Sequence, residues 1–96
     1  MYNTNNYRMT DEGKAYIFEY ELAGFTKKDV ELTARELKHW TLLTIKAEKD
    51  SKNRSTTFRM PNKISIEEIS SEMKNGLLKV TLPKEEDRSQ INIKVN

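Results

Sequence analysis

Ninety-six residues suffice for one domain. With 35% apolar and 33% charged residues the core must be thin, which suits two packed layers and argues against a many-layered catalytic scaffold. The net charge of +2 is too small and too mixed for a nucleic-acid binder of this size, and the absence of cysteine removes disulfide and thiol chemistry and fits a reducing cytoplasm.

In chain order, residues 1–8 are polar and Asn-rich, with no apolar signal core, and are expected to be disordered or an edge arm. From residue 14 the period is two. Tyr16, Phe18, Tyr20 and Leu22 share one face, and Ala15, Ile17, Glu19 and Glu21 the other. Gly24 supplies a bend, and Thr26-Lys27-Lys28-Asp29 has the pattern of a one-turn capping box. Val30, Leu32 and Ala34 then alternate with Glu31, Thr33 and Arg35. Glu36 to Thr41 reads as a polar connection carrying His39 and Trp40. Leu43, Ile45 and Ala47 form the inner face of the next strand, Glu48 to Ser55 a charged turn, and Thr56, Phe58 and Met60 a further strand stopped by Pro61. Asn53-Arg54-Ser55 matches a glycosylation sequon, read as chance without a secretion signal. Ser65-Ile66-Glu67-Glu68 repeats the capping pattern.

Ile69, Ser71 and Met73 lead into Asn75-Gly76, the pair that a tight hairpin turn with φ > 0 at both central positions favours. Leu78, Val80 and Leu82 alternate with Lys79 and Thr81 until Pro83, which cannot donate to a ladder. Lys84 to Gln90 is a charged linker, and Ile91, Ile93 and Val95 fall on one face of a short closing strand. The expected fold is an all-β, immunoglobulin-like sandwich of about seven to eight antiparallel strands. The expected organisation is an arm over 1–9, a sandwich over 10–84 and a C-terminal extension over 85–96. No apolar run approaches the length of a membrane span.

The stretch Ser71 to Lys84, with Asn75, Gly76, Leu78 and Pro83 at its fixed points, resembles the signature of the small heat-shock proteins, the α-crystallin domain family. Four further segments resemble that family in the right order: Leu22-Ala23-Gly24-Phe25 with Lys27-Lys28-Asp29-Val30, Leu43-Thr44-Ile45-Lys46-Ala47-Glu48, Phe58-Arg59-Met60-Pro61, and Ile91-Asn92-Ile93. Three departures touch the parts the family uses for assembly. The N-terminal arm is only about eight polar residues. The loop that exchanges a strand between subunits is cut to Glu48–Thr57, and Thr56 stands where a basic residue often precedes the aromatic. The Glu36–Thr41 connection with Trp40 is longer than in animal members.

The resemblance implies an ATP-independent holdase for partly unfolded proteins, self-associated as a dimer or larger, cytoplasmic, with no cofactor. It also implies a groove lined by Val30, Leu32, Ser71 and Met73, into which Ile91 and Ile93 of a neighbouring subunit dock. The residues alone leave a second placement open, in which Ile91, Ile93 and Val95 are the last strand of their own sandwich or dock in cis. Tyr2, Tyr7 and Met9 are candidate client contacts, beside the reading that such methionines are plain packing. Trp40 with Phe25 is either a recognition patch or a cap on the core end. Lys49, Lys52, Arg54, Arg59 and Lys63 form a loose basic stretch, weighed as a solvated face against an anion contact. With one His, no Cys and acidic pairs whose neighbours point apart, no catalytic set and no metal site is expected. Two other functions compete: a co-chaperone or adaptor resembling the CS-domain proteins, and an accessory sandwich module with one defined protein partner. Membrane and nucleic acid are not expected partners.

Overall fold

The computed structural model describes residues 6–60, 64–85 and 93–96. Seven strands are present among them: β1 (Tyr7–Asp11), β2 (Ala15–Glu21), β3 (Val30–Glu36), β4 (Thr41–Lys49), β5 (Lys52–Met60), β6 (Ser70–Lys74) and β7 (Leu77–Pro83). They form a four-stranded sheet in the order β1-β2-β7-β6 and a three-stranded sheet in the order β3-β4-β5, all pairs antiparallel. The all-β sandwich expected from the alternation is therefore the observed fold.

Period-two alternation decides which side chains meet between the layers. Tyr16, Phe18 and Tyr20 of β2, Leu78, Val80 and Leu82 of β7, and Leu43, Ile45 and Ala47 of β4 are all buried. Register fixes their neighbours, with Phe18 opposite Val80 and Leu43 opposite Phe58. Leu22, Phe25, Met60 and Ile64 close the ends of the same cluster.

The outer face of the larger sheet follows the complementary rule. Arg8, Glu19, Lys79 and Glu72 lie opposite one another across β1, β2, β7 and β6, so charge alternates in sign along the row. Directly opposed unlike charges support strand pairing. Arg8 donates to the Glu19 carboxylate through Nη2 at 2.7 Å.

Two single 3₁₀ turns link the sheets. In the first, over Lys27–Asp29, the Asp29 carboxylate accepts from the Thr26 backbone N–H at 2.8 Å and from its hydroxyl at 3.1 Å. The second spans Ile66–Glu68, where the Glu68 N–H donates to the Ser65 carbonyl at 3.0 Å and the Ser65 side chain makes no cap bond.

Three expectations need correction. Residues 7–9 are not arm but the start of β1, because Tyr7 and Met9 pack against the core. Glu48 to Ser55 is not an extended turn. The β4–β5 ladder continues to Lys49 opposite Lys52, and only Asp50 and Ser51 turn, with Asp50 at φ +54°. Both faces are exposed there, so side-chain polarity stops alternating while the backbone keeps pairing. Thr41 is not connection but the first, fully buried residue of β4.

The Thr41 hydroxyl has no hydrogen-bond partner among the described residues. A desolvated, unpaired hydroxyl costs free energy, so Thr41→Val is expected to raise stability by about 1 kcal/mol. Urea denaturation should give a higher midpoint at an unchanged slope. A lower midpoint would mean that the hydroxyl is satisfied in solution.

Candidate functional site

A two-sheet sandwich leaves strand edges facing one another along its sides. On one side β3, an edge of the small sheet, faces β6, an edge of the large one. Val30 and Leu32 from β3, and Ser71 and Met73 from β6, line a single cleft of about 280 Å³ there. Lys27 and Glu72 stand at its rim, and the buried Leu78 contributes to its lining.

Register holds the walls. Val30 lies opposite Ala47, Leu32 opposite Ile45, Ser71 opposite Val80 and Met73 opposite Leu78. Each wall residue thus has a buried cross-strand partner and, except Ser71, is itself only half-buried. All four residues expected to line a groove are brought together. Lys27, Glu72 and Leu78, which also line the cleft, were not among the residues the resemblance pointed to, and their place depends on how the sheets stack.

The Asn75–Gly76 turn sets the β6–β7 register and so the cleft wall. Asn75 has φ +52° and Gly76 φ +77°. The Gly76 carbonyl accepts from the Leu22 N–H at 2.7 Å, which ties the turn to the end of β2. A Cβ on Gly76 would lie 3.3 Å from the Ala23 Cα. Leu78 is buried at 2% exposure, and the Pro83 carbonyl accepts from the Ser65 N–H at 2.8 Å at the far end of β7. A larger hollow of about 460 Å³ beside this turn is rimmed by Glu21, Glu72, Lys74 and Lys79, two carboxylates against two amines, and reads as solvated surface.

Residues 93–96 form no strand, and Ile93 and Val95 are 84% and 90% exposed. The placement of this segment as a closing strand of its own sandwich is thereby corrected at Ile93 and Val95, since the core closes without them. Ile91 and Tyr2 lie outside the described residues. Tyr7 and Met9 do not form an exposed client surface. The Tyr7 ring sits 4.7 Å from Phe58 and 5.6 Å from Phe18, and Met9 packs on the core. Phe25 is buried in the core, whereas Trp40 is 36% exposed with the Arg59 guanidinium 4.3 Å over its ring, so no joint patch forms. The basic stretch is likewise divided: Arg59 stacks on Trp40, Arg54 donates to the Glu21 carbonyl at 3.3 Å, and Lys63 is outside the described residues.

At the root of the C-terminal extension lies a junction that alternation could not reveal. Lys84 donates to Asp11 through Nζ at 2.8 Å, across 73 positions in sequence, and sits 4.6 Å over the Tyr16 ring. Its backbone N–H donates to the Lys14 carbonyl at 2.9 Å. The Lys84 bond and the Gly13 N–H together lower the Asp11 carboxyl pKa, and the same bond raises that of Lys84. The Thr26 N–H lowers that of Asp29. Among the described residues no helix is long and apolar enough to cross a membrane.

Residues 8–96 match the model of the Hsp20/alpha crystallin family. The mitochondrial heat shock 22 kDa protein of Pisum sativum is 35% identical, with the match covering 85% of this chain and 46% of that protein. The 17.4 kDa class I heat shock protein of Arabidopsis thaliana is 28% identical, covering 82% and 58%. The chain spans about half the length of these relatives. Among solved structures, a small heat-shock protein from Xylella fastidiosa superposes with a TM-score of 0.72 at 18% identity, covering 94% of each chain. One from Synechococcus phage S-ShM2 gives 0.65 at 18%, covering 98% of each. At that identity the two structures speak to the fold alone.

Gly76→Ala would place a side chain at positive φ against Ala23. A loss of about 1–2 kcal/mol is expected, read from the denaturation midpoint. A neutral result would show that the turn relaxes freely. A second expectation concerns pH. Asp11 and Asp29 are held low, so their contributions are present above the ordinary carboxylate range, near pH 4, and are lost as pH falls through the lowered values. Lys84 is held high, so its share is present below the ordinary lysine value and is lost as pH rises through the raised one. Asp11→Asn should therefore flatten both the acid and the alkaline limbs of a melting-temperature profile. An unchanged profile would remove the junction from the account.

Proposed function

Because the chain belongs to the Hsp20/alpha crystallin family, we propose that it is an ATP-independent holdase. In this reading it binds partly unfolded proteins through apolar surface and assembles through its C-terminal segment. The family assignment also means that the chain is not an enzyme. The proposed domain organisation is a short arm, the sandwich from Tyr7 to Lys84, and an extension from Glu85 onward.

The observation that carries the reading is the cleft between β3 and β6. Each wall offers two alternating side chains, Val30 with Leu32 and Ser71 with Met73. An extended segment places residues i and i+2 on one face at roughly 6.5–7 Å spacing, which is what two such wall positions can receive. Ile91 and Ile93 have that spacing, and Ile93 is exposed. Burying both would contribute roughly 3–6 kcal/mol at about 1.5–3 kcal/mol each, before the cost of ordering the tail. That magnitude suits a contact that forms and breaks, with the tail of one copy in the cleft of another.

Unoccupied clefts would then present apolar surface to clients. The proposed location is the cytoplasm, in keeping with a chain that has no cysteine. Of the relatives, the pea protein is named as mitochondrial and the Arabidopsis class I protein is not. An adaptor of the CS-domain kind, or an accessory module with one partner, would leave the cleft without an occupant.

The double substitution Ile91→Ala with Ile93→Ala tests assembly and activity together. Light scattering across concentration should show a lower mass while the melting temperature stays near that of the unsubstituted chain. A fallen melting temperature at unchanged mass would make the tail a structural strand instead. In parallel, a molar excess of the unsubstituted chain should slow aggregation of several heat-stressed enzymes. Failure on all of them would sink the holdase reading.

A further inference from the structure

We propose that β1 is a displaceable cover, and that the slot it fills beside β2 accepts an extended apolar segment of an unfolding protein. The inference rests on the holdase reading for its biological sense, but the slot is defined by its own geometry.

The sandwich has a second side, where the edge strands β1 and β5 face each other. Unlike the β3–β6 side, it is filled. Tyr7 reaches across to Phe58 at 4.7 Å and stacks on Phe18 at 5.6 Å. Phe18 and Phe58 are 4.4 Å apart, and Tyr20 lies 6.4 Å from Phe58. Met9 sits opposite Phe18. Behind β1, therefore, lies an aromatic cluster contributed by β2 and β5.

The cover is lightly held. β1 has five residues, pairs on one side only, and contains no fully buried residue, whereas alternate residues of β2 are buried. Beside the packing of Tyr7 and Met9, its side-chain ties include two ion pairs at the surface: Arg8 to Glu19, with side chains 68% and 23% exposed, and Asp11 to Lys84, with side chains 56% and 18% exposed. Short edge elements with few buried contacts open first. Heating, the condition that unfolds clients, would thus free the edge of β2 and uncover Phe18, Tyr20 and Phe58.

The resident strand specifies what the slot accepts. Tyr7-Arg8-Met9 puts a large apolar side chain, a cation and another large apolar side chain in alternation. The cation meets Glu19, which closes the Arg8–Glu19–Lys79–Glu72 row. When β1 leaves, Glu19 stands at the sheet edge with Lys79 on one side only. The incoming segment is therefore a strand with a basic residue between two large apolar ones, added to the free edge by main-chain hydrogen bonds and read by the alternate side chains.

The test locks the cover. Thr10 and Ile17 lie directly opposite on the outer face, and the chain has no cysteine to interfere. Opposed Cα atoms in an antiparallel pair are about 4.5–5.5 Å apart, within disulfide reach. In the variant Thr10→Cys with Ile17→Cys, oxidation pins β1 and reduction releases it, so the reduced form controls for folding. The probe is a fluorescein-labelled peptide with the sequence of residues 6–12, followed by anisotropy at a temperature just below unfolding. The reduced variant should bind at least tenfold more tightly than the oxidised one. A peptide with Glu in place of its Arg should bind the unsubstituted protein several-fold more weakly. Equal binding in both redox states, or none in either, overturns the proposal. So does equal protection of heat-stressed enzymes by the two forms, which would leave the holdase reading standing. Redox-dependent peptide binding without any protection would keep the slot and remove the holdase.

Discussion

Phe18 and Val80 face one another on β2 and β7, both fully buried, and the register they occupy governs what every edge of the sandwich presents. Moving β7 by one residue would send Leu78, Val80 and Leu82 outward and bring Lys79 and Thr81 in. It would also misplace β6, whose pairing follows from β7 through the two-residue turn at Asn75–Gly76. Ser71 and Met73 line the cleft only while that chain of registers holds. The Leu22 N–H bond to the Gly76 carbonyl adds a third tie, between the turn and the end of β2. A feature that reads as a family signature is therefore, in physical terms, the part of the chain that aims one wall of the cleft.

Charge does a different job from the core. A third of the residues are charged, yet the net is only +2. The Arg8–Glu19–Lys79–Glu72 row shows how this is arranged, with unlike charges opposed across four strands so that the broad outer face is wet and self-neutralising. Apolar surface is left at the strand edges instead. Under the proposed function that separation matters, because a large exposed apolar face would aggregate on its own.

Much of the fold was legible because β2, β3, β4 and β7 each bury one face, and burial on one face imposes period two on the sequence. The four cleft residues, Val30, Leu32, Ser71 and Met73, were placed by the family resemblance and not by alternation, which says only that they share a face of their strands. β1 was missed for the converse reason: Tyr7 and Met9 are only two apolar positions in a polar setting, too few to mark a period. The tip of the β4–β5 hairpin was missed because both of its faces are exposed, so nothing in Glu48 to Ser55 alternates. The Asp11–Lys84 bond joins residues 73 positions apart and leaves no local trace at all. Thr41, a polar residue beside Trp40, reads as connection, and only the stacking of the sheets makes it core.

The two sides of the sandwich now differ in a way that has consequences. Both are bounded by edge strands of separate sheets, and both contain apolar side chains at alternate positions. On the β3–β6 side the walls stop short of one another and leave a cleft. On the β1–β5 side Tyr7 and Met9 fill the gap and hide the aromatic rings of Phe18, Tyr20 and Phe58. An open cleft can exchange a tail at constant fold, since only the occupant orders or leaves. A covered slot opens only when part of the domain lets go, which ties its availability to temperature through the local stability of β1. Assembly on one side and heat-gated capture on the other would let a small sandwich separate two tasks that otherwise compete for the same apolar surface.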